Sequence, residues 1–481
     1  MTSKNETVPT IPQQFRGCPI SSENVILRPA LAFRVEESDQ KRDSSVAALP
    51  QNDNCFLFGQ PLKEGCHATR WDGVLANHSG WGLSSLCGIM LILASHAHSQ
   101  LAVRGETVYT MAGQAIKDGI VLISGRKIER VGPPAEVLIP SGYKVMTAKV
   151  VTPGLVDAHS VVGLTGIYNQ KHDSDQLELS DAIQPELRAL DAYNPREKLV
   201  EWIRDLGVTT VQTGPAPGAL SSGQTVIVKT YGGTVTEALV DSIGMVTFTL
   251  GSDVSANFKT PGTRTKGVAM LRAEFIKAQE YAAKMKLKDP EKRPSRDLKM
   301  EVLVQVLSGR TKALITANRA TEIMSALRLA QEFGFELVLD GAAEAYLLVD
   351  EIRKAGVPVI LHPTMDRHYG DTRNVSFETA AQLRKAGISF AIQSGYESYV
   401  PKTRVVLYEA AIAATNGLTF EEALASITRD AARIIGVDRR VGSLEAGKDA
   451  DVVLFDGDPF EYTSHVCGVI IDGTVVSETC K

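Results

Sequence analysis

The chain has 481 residues, of which 44% are hydrophobic and 22% charged, and its formal net charge is -5. That length exceeds what a single hydrophobic core supports, so two or more structural units are expected. So small a net charge, without a long basic run, speaks against nucleic acid or an anionic membrane as a main partner. A small molecule is the expected partner, and a homo-oligomer is compatible with the composition. The six cysteines, Cys18, Cys55, Cys66, Cys87, Cys467 and Cys480, show no CxxC pair and no zinc-ribbon spacing. They read as isolated structural thiols rather than a metal knuckle or a dithiol redox site.

Residues 1–80 are polar and lack helical or strand periodicity, so residues 1–100 read as a largely disordered extension. Near its end, Leu83 to Ala94 (LSSLCGIMLILA) is uncharged and apolar. A run of about 12 residues is too short to cross a bilayer, which excludes stable membrane insertion, and it fits the apolar core of an export signal with small residues after it. A leader should begin near residue 1 behind a positive segment, whereas the nearest preceding cation is Arg70. Either translation starts downstream of Met1 and the protein is exported to a periplasmic or extracellular space, or the stretch is a buried element of a cytoplasmic protein.

From Leu101 the pattern becomes regular. Ala102–Thr110, Gly119–Ile123 and Lys127–Val131 are short β-branched runs separated by turns, the mark of a small antiparallel sheet. Lys149–Asp157 follows as a strand ending near His159. Pro195–Leu206 is an amphipathic helix with Asn194 as N-cap and Gly207 as the stop. Val208–Gln212 is a strand, Gly218–Gly251 is strand-rich, and Pro261–Gln305 is a charged helical insertion. Then strands Ala313–Thr316, Glu336–Asp340, Val357–His362 and Ile388–Gln393 alternate with helices Ala320–Phe333, Ala342–Ala355 and Phe377–Ala386, each stopped near a glycine. Repeated strand–helix units imply parallel strands with right-handed crossovers, and about eight close into a barrel. Helices Lys402–Thr415 and Thr419–Ile435 precede short strands Asp451–Phe455, Val469–Ile471 and Gly473–Val476. The expected α/β architecture is a (β/α)8 TIM barrel over 153–436 and a small β-sandwich assembled from 101–152 and 437–481.

Val151-Thr152-Pro153-Gly154-Leu155-Val156-Asp157-Ala158-His159 resembles the entry strand of the amidohydrolase superfamily. Val441 to Val453 (VGSLEAGKDADVV) is similar to that family's closing segment, and Thr428 to Ile435 matches the stretch before it. The resemblance covers about Ala102 to Glu478 and is nearest the imidazolonepropionase-like and aryldialkylphosphatase-like branches. It implies the same barrel and terminal sandwich. It also implies hydrolysis of carbon–nitrogen bonds in amides and cyclic amides by one or two divalent metals, which acidify a bound water and polarise the scissile carbonyl.

The ligands that the resemblance calls for are altered. His159 is followed by Ser160 and Val161 where the family has His-x-His. Asn318 stands at the end of the fifth strand and Gly341 after the sixth, where histidines are expected, and Gly395 stands where the eighth strand should carry an aspartate. A binuclear centre is not recoverable from these residues, and no metal ligand set is assigned; at most one divalent metal such as zinc is expected. The strand ends instead collect His159, Gln212, Asn318, Asp340, His362 and Gln393, with His172 and His368 on adjoining loops and Lys229 ending the apolar run Thr225–Val228. His159, Asp340 and His362 are the candidate acid–base groups, and Gln212, Lys229, Asn318 and Gln393 the candidate substrate contacts. Two functions follow: a hydrolase of carbon–nitrogen bonds with an eroded metal site, or a catalytically inactive barrel serving as a small-ligand cup. For His362 the alternative is a backbone hydrogen bond at the strand end, and for Asp340 a helix N-cap.

Overall fold

The computed structural model describes residues 100–168, 170–396 and 405–480. The disordered-extension and export-signal readings concern residues outside these. Strands β1 (Gln100–Val108), β2 (Ile116–Ser124), β3 (Lys127–Gly132) and β4 (Lys144–Pro153) open the chain. Next come β5 (Leu155–Ser160), α1 (Lys198–Asp205), β6 (Val208–Thr213), β7 (Ser221–Gln224), β8 (Val226–Lys229), α2 (Val235–Ala238), β9 (Leu239–Asp241) and β10 (Met245–Thr249). Helices α3 (Asp253–Asn257), α4 (Arg264–Met285) and α5 (Leu298–Leu307) precede β11 (Lys312–Ala317), α6 (Ala320–Phe333), β12 (Leu337–Gly341), α7 (Val349–Ala355), β13 (Val359–Leu361), α8 (Thr379–Lys385) and β14 (Phe390–Ile392). Helices α9 (Val406–Thr415), α10 (Phe420–Ser426) and α11 (Arg429–Ile434) lead to β15 (Val452–Phe455), β16 (Val466–Ile471) and β17 (Thr474–Ser477).

The strands from the two ends form one seven-stranded sheet in the order β17-β16-β15-β4-β1-β2-β3. Its joining seam is the antiparallel pairing of β15 with β4 (Val452 with Pro153, Phe455 with Val150). The remaining strands lie in a six-stranded sheet, β14-β13-β12-β11-β10-β7, and a four-stranded one, β5-β6-β8-β9. From β10 to β14 neighbouring strands are parallel, as the strand–helix repeat predicts. The run 221–229 is the exception: β7 is antiparallel to β10 and β8 antiparallel to β6. The cause is local, because no crossover helix separates β6 from β7, so the chain can only turn back. Thr225, between β7 and β8, donates its backbone N–H to the Met245 carbonyl, and a parallel bridge joins Ser160 to Gly395.

Alternation along these strands sorts residues into two cores. Val156, Ala158, Ile227, Met245, Leu314, Val338, Ile360 and Ala391 pack on one another and on Ala431, Ile434 and Ile435 of the α11 region. Their neighbours in sequence, among them Leu155, Val228, Val246, Ile315, Leu339, Leu361 and Ile392, pack against the helical layer.

Two helix starts differ from expectation. α1 begins at Lys198 with Glu197 as its N-cap, while Asn194 Oδ1 accepts the Arg196 N–H at 3.0 Å in a preceding turn. α7 begins only at Val349, after a 3-10 turn at Ala345–Leu347, so Asp340 does not cap it. Cys467 and Cys480 are joined in a disulfide that ties the C-terminal end to β16, correcting the reading of both as isolated thiols. They are 13 residues apart, and β17 turns the chain back along β16, so pairing follows from a hairpin that spacing alone does not reveal.

Lys229 also falls elsewhere than expected. Because 221–229 runs against its neighbours, moving two residues beyond the inward Ile227 leads away from the C-terminal strand ends. Its ammonium, with the residue only 2% exposed, lies 2.5 Å from Asp451, 3.2 Å from Asp449 and 3.7 Å from Asp472. Burial works against its charge, but the three carboxylates outweigh burial and hold its pKa above the ordinary lysine value. It is therefore an ion-pair centre joining strand β8 to the terminal sheet, and not a substrate contact. Lys229→Met should destabilise the protein by about 3–5 kcal/mol, because it leaves the buried Asp451 carboxylate without a cation. Chemical denaturation at neutral pH checks this.

Candidate functional site

Two residues beyond the apolar inward positions Leu314, Val338, Ile360 and Ala391 come Thr316, Asp340, His362 and Gln393. The strand period of two places them on the same inward face, one step nearer the C-terminal ends. Gln212, on β6, and His159, at the end of β5, join them. All are buried, with His159 and His362 each at 1% exposure and Asp340, Gln212 and Gln393 at 0%. Asn318 follows β11 at 9% exposure.

Asp340 is the hub. Its Oδ1 meets His159 Nδ1 at 2.9 Å and accepts from Gln393 Nε2 at 2.9 Å, while its Oδ2 accepts from Thr316 Oγ1 at 2.6 Å. Burial opposes charge on the His159 ring, but the Asp340 carboxylate, with smaller help from Asp157 and the Pro215 carbonyl, holds its pKa above the usual histidine value. An anionic Asp340 selects the tautomer with the proton on Nδ1. His159 Nε2 is buried without a partner at hydrogen-bond distance and angle, as are Gln212 Oε1, Asn318 Oδ1 and Gln393 Oε1. Gln212 and Gln393 are oriented by their amide nitrogens, the first donating to the Ala158 carbonyl at 2.8 Å.

His362 stands somewhat apart, its Nδ1 2.6 Å from the Pro363 carbonyl, so the backbone contact considered for a strand-end histidine is present. Gly341, at φ 72°, turns the chain at the end of β12 so closely that an added Cβ would lie 2.5 Å from Asn318 Oδ1. His172 is exposed beside Asp173, and His368 is exposed on its loop, so neither joins the cluster.

Three carboxyls that the sequence reading assigned no role support this cluster. Asp157 accepts from Ser394 Oγ at 2.5 Å and Ser394 N at 3.2 Å, tying β5 to the end of β14, and burial pushes its pKa up to about 7. Glu409 of α9, wholly buried, accepts from Thr364 Oγ1 at 2.6 Å and Met365 N at 2.8 Å and so fixes the turn after His362. The one acid in the apolar helix sequence VLYEAAIAAT was the available signal. Glu197 faces the backbone N–H groups of Gly163, Thr165 and Gly166 in the loop that follows His159.

The residues do not fit a two-metal centre. Both Asp340 oxygens are engaged within the cluster, and among the described residues no three His, Cys, Asp or Glu side chains are grouped so as to hold a metal ion.

The description of the Amidohydrolase family matches residues 269–477. A crystal structure of an amidohydrolase from Thermotoga maritima is 31% identical and superposes with a TM-score of 0.74 over 79% of this chain and 100% of that one. The chain belongs to the amidohydrolase family. Amidohydrolase tasK of Hapsidospora irregularis is 24% identical over 72% of this chain, which spans only 38% of that protein. An imidazolonepropionase of Mesorhizobium japonicum is 23% identical over 74% of this chain and 88% of its own length. The architecture is thus of the amidohydrolase, TIM-barrel type.

The loop after β5 yields a pH dependence. Gly163, at φ 88°, lets it pass so close to Tyr193 that an added Cβ would lie 2.2 Å from the ring, which leaves the Glu197 carboxyl enclosed. Burial pushes Glu197 up to about 7, against the pull of the Gly163, Gly166 and Thr165 N–H groups. A carboxyl raised in the fold stabilises it fully below about pH 4.5, and that contribution is lost as pH rises through 7. Glu197→Gln should remove this part of the pH slope, of order 3 kcal/mol. Urea unfolding at pH 5 and pH 8 measures it, and an unchanged difference between wild type and variant would be the contrary result.

Proposed function

We propose that this protein hydrolyses carbon–nitrogen bonds in small amides or cyclic amides, with the His159–Asp340 pair moving the proton at an eroded metal site. The observation that carries this reading is the 2.9 Å contact between His159 Nδ1 and a buried Asp340, which leaves His159 Nε2 buried among polar strand ends without a hydrogen bond of ordinary geometry. Val161, Asn318, Gly341 and Gly395 occupy the positions where the family resemblance calls for ligands. No step is therefore routed through a binuclear centre, and at most one divalent ion is expected. Neutral His159 accepts a proton from water at Nε2 as the water oxygen bonds to the acyl carbon, Asp340 stabilises the resulting imidazolium, and the same proton passes to the departing nitrogen as the C–N bond breaks. The amide oxygens of Asn318 and Gln393 are suited to accept substrate N–H groups, and His362 is a second imidazole for the leaving side.

The alternation of inward residues, the link through Thr225 and the Ser160–Gly395 bridge support reading the two inner sheets as one closed barrel of eight strand positions. The small apolar clusters on either face of the terminal sheet support its folding over as a sandwich. A ligand cup without catalysis is the second reading, favoured by the three amides among the candidate contacts.

His159→Gln and Asp340→Asn should each lower kcat on N-acyl and cyclic amides by about 10²–10⁴-fold with KM little changed. Purified wild type should hold no more than one equivalent of divalent metal by elemental analysis. Two equivalents of copurifying zinc, with activity abolished by chelator, would sink the eroded-site reading; absence of turnover on every substrate class would leave the ligand cup.

Location is proposed from two features that agree. A disulfide persists in oxidising compartments, and an export-type apolar segment lies at Leu83–Ala94. With a C-terminal tag, the protein should appear in the periplasm or medium with its N-terminus within residues 95–101 and with Cys467 and Cys480 protected from alkylation. Reduced cysteines and an uncut cytoplasmic chain would be the opposite outcome.

A further inference from the structure

At the end of the inner strands opposite His159 and Asp340, the end of α1, the turn after β8 and two hairpin turns of the terminal sheet enclose a cavity of about 570 Å³. Arg126, Arg204, Tyr231, Glu237, Asp472 and Thr474 contribute to its lining. Both carboxylates there are already engaged. Asp472 pairs with Arg126 and lies 3.7 Å from Lys229, and Glu237 Oε2 accepts the Gly233 N–H at 2.6 Å.

The arginines are not matched in the same way. Arg204 donates from Nη1 to the Thr230 carbonyl at 3.3 Å, and its Nε is buried with no hydrogen-bond partner. Arg196, beside the same turn, donates Nε to the Gly233 carbonyl at 2.9 Å. Neither is paired with a carboxylate among the described residues. A buried N–H of a permanently charged guanidinium without an acceptor is costly, and the partner that best meets its planar fork is an oxyanion. The volume suits a small organic ion.

We propose that this crevice is a binding site for a small oxyanion, a phosphate or a carboxylate, held by Arg204 between the inner strands and the terminal sheet. It is separate from the strand-end cluster and does not rest on the activity proposed for it. Bound there, an anion would bridge α1, the Tyr231–Gly233 turn and the β16–β17 turn, adding stability to the junction that Lys229 already secures.

The test uses the whole chain, with inorganic phosphate and succinate titrated against chloride at matched ionic strength and read by calorimetry and thermal unfolding. Wild type should bind one of the two saturably, and Arg204→Gln should weaken that binding by about tenfold or more, roughly 1.4 kcal/mol. Thr474→Glu, which sets a negative charge at the rim on an exposed turn, should do the same and decides the matter if the arginine variant folds poorly. Saturation by phosphate alone assigns a phosphate site, and saturation by succinate alone a carboxylate site. No saturable binding of either, or equal binding in all three proteins, overturns the proposal.

Discussion

The ammonium of Lys229 among the carboxylates of Asp449, Asp451 and Asp472 is the contact on which the joining of the two parts depends. Each ion alone would be costly to bury, and Lys229 and Asp451 depend most on each other, since Lys229 is the one cation paired with Asp451 among the described residues. Thr209 Oγ1 also donates to Asp451 at 3.2 Å, while Lys127 and Arg440 pair with Asp449. Strands β6 and β8 are thereby fixed to the segment 449–451. The same segment feeds β15, whose pairing with β4 leads through Gly154 directly into β5 and His159. The closing motif therefore acts at a distance: it sets the level at which β5 enters and hence where its end arrives.

At the other end of the strands, the same problem of a buried carboxylate is solved differently. Asp340 meets an imidazole, an amide and a hydroxyl instead of permanent cations. A lysine partner would lock the charge and leave nothing to titrate near neutrality. An imidazole partner keeps one exchangeable proton in the cluster, and the buried Nε2 of His159 is where it would be exchanged. The contrast separates a cluster held by a permanent cation from one that contains a titratable ring, although both are buried.

Much of this was legible in the sequence because it follows the strand period. Leu314 and Thr316, Val338 and Asp340, Ile360 and His362, and Ala391 and Gln393 are each two residues apart, so an apolar inner layer topped by a polar one can be read from the alternation. Lys229 was misplaced by the same rule, since period identifies a face and not a direction. The reversal of 221–229 turns a residue expected at one end into an anchor at the other. The Asp157–Ser394 contact spans 237 positions, and the Cys467–Cys480 bridge depends on a hairpin, so neither leaves a local pattern. Glu409 left one, as an acid in an apolar helix, but its purpose appears only when Thr364 is brought to it.

The reversed run also bears on how this member of the family can work. In a barrel of uniformly parallel strands every strand end delivers a side chain to the same mouth. Here the reversed strand β8 directs Lys229 away from the strand ends that carry Asp340 and leaves Thr225 and Gly223 on their side, small groups that add no charge. Among the described residues, ionisable groups at these strand ends come from β5, β12 and the segment after β13, which carry Asp157 and His159, Asp340, and His362. Of these, Asp157 is taken up by Ser394, whereas Asp340 and His159 meet each other at 2.9 Å.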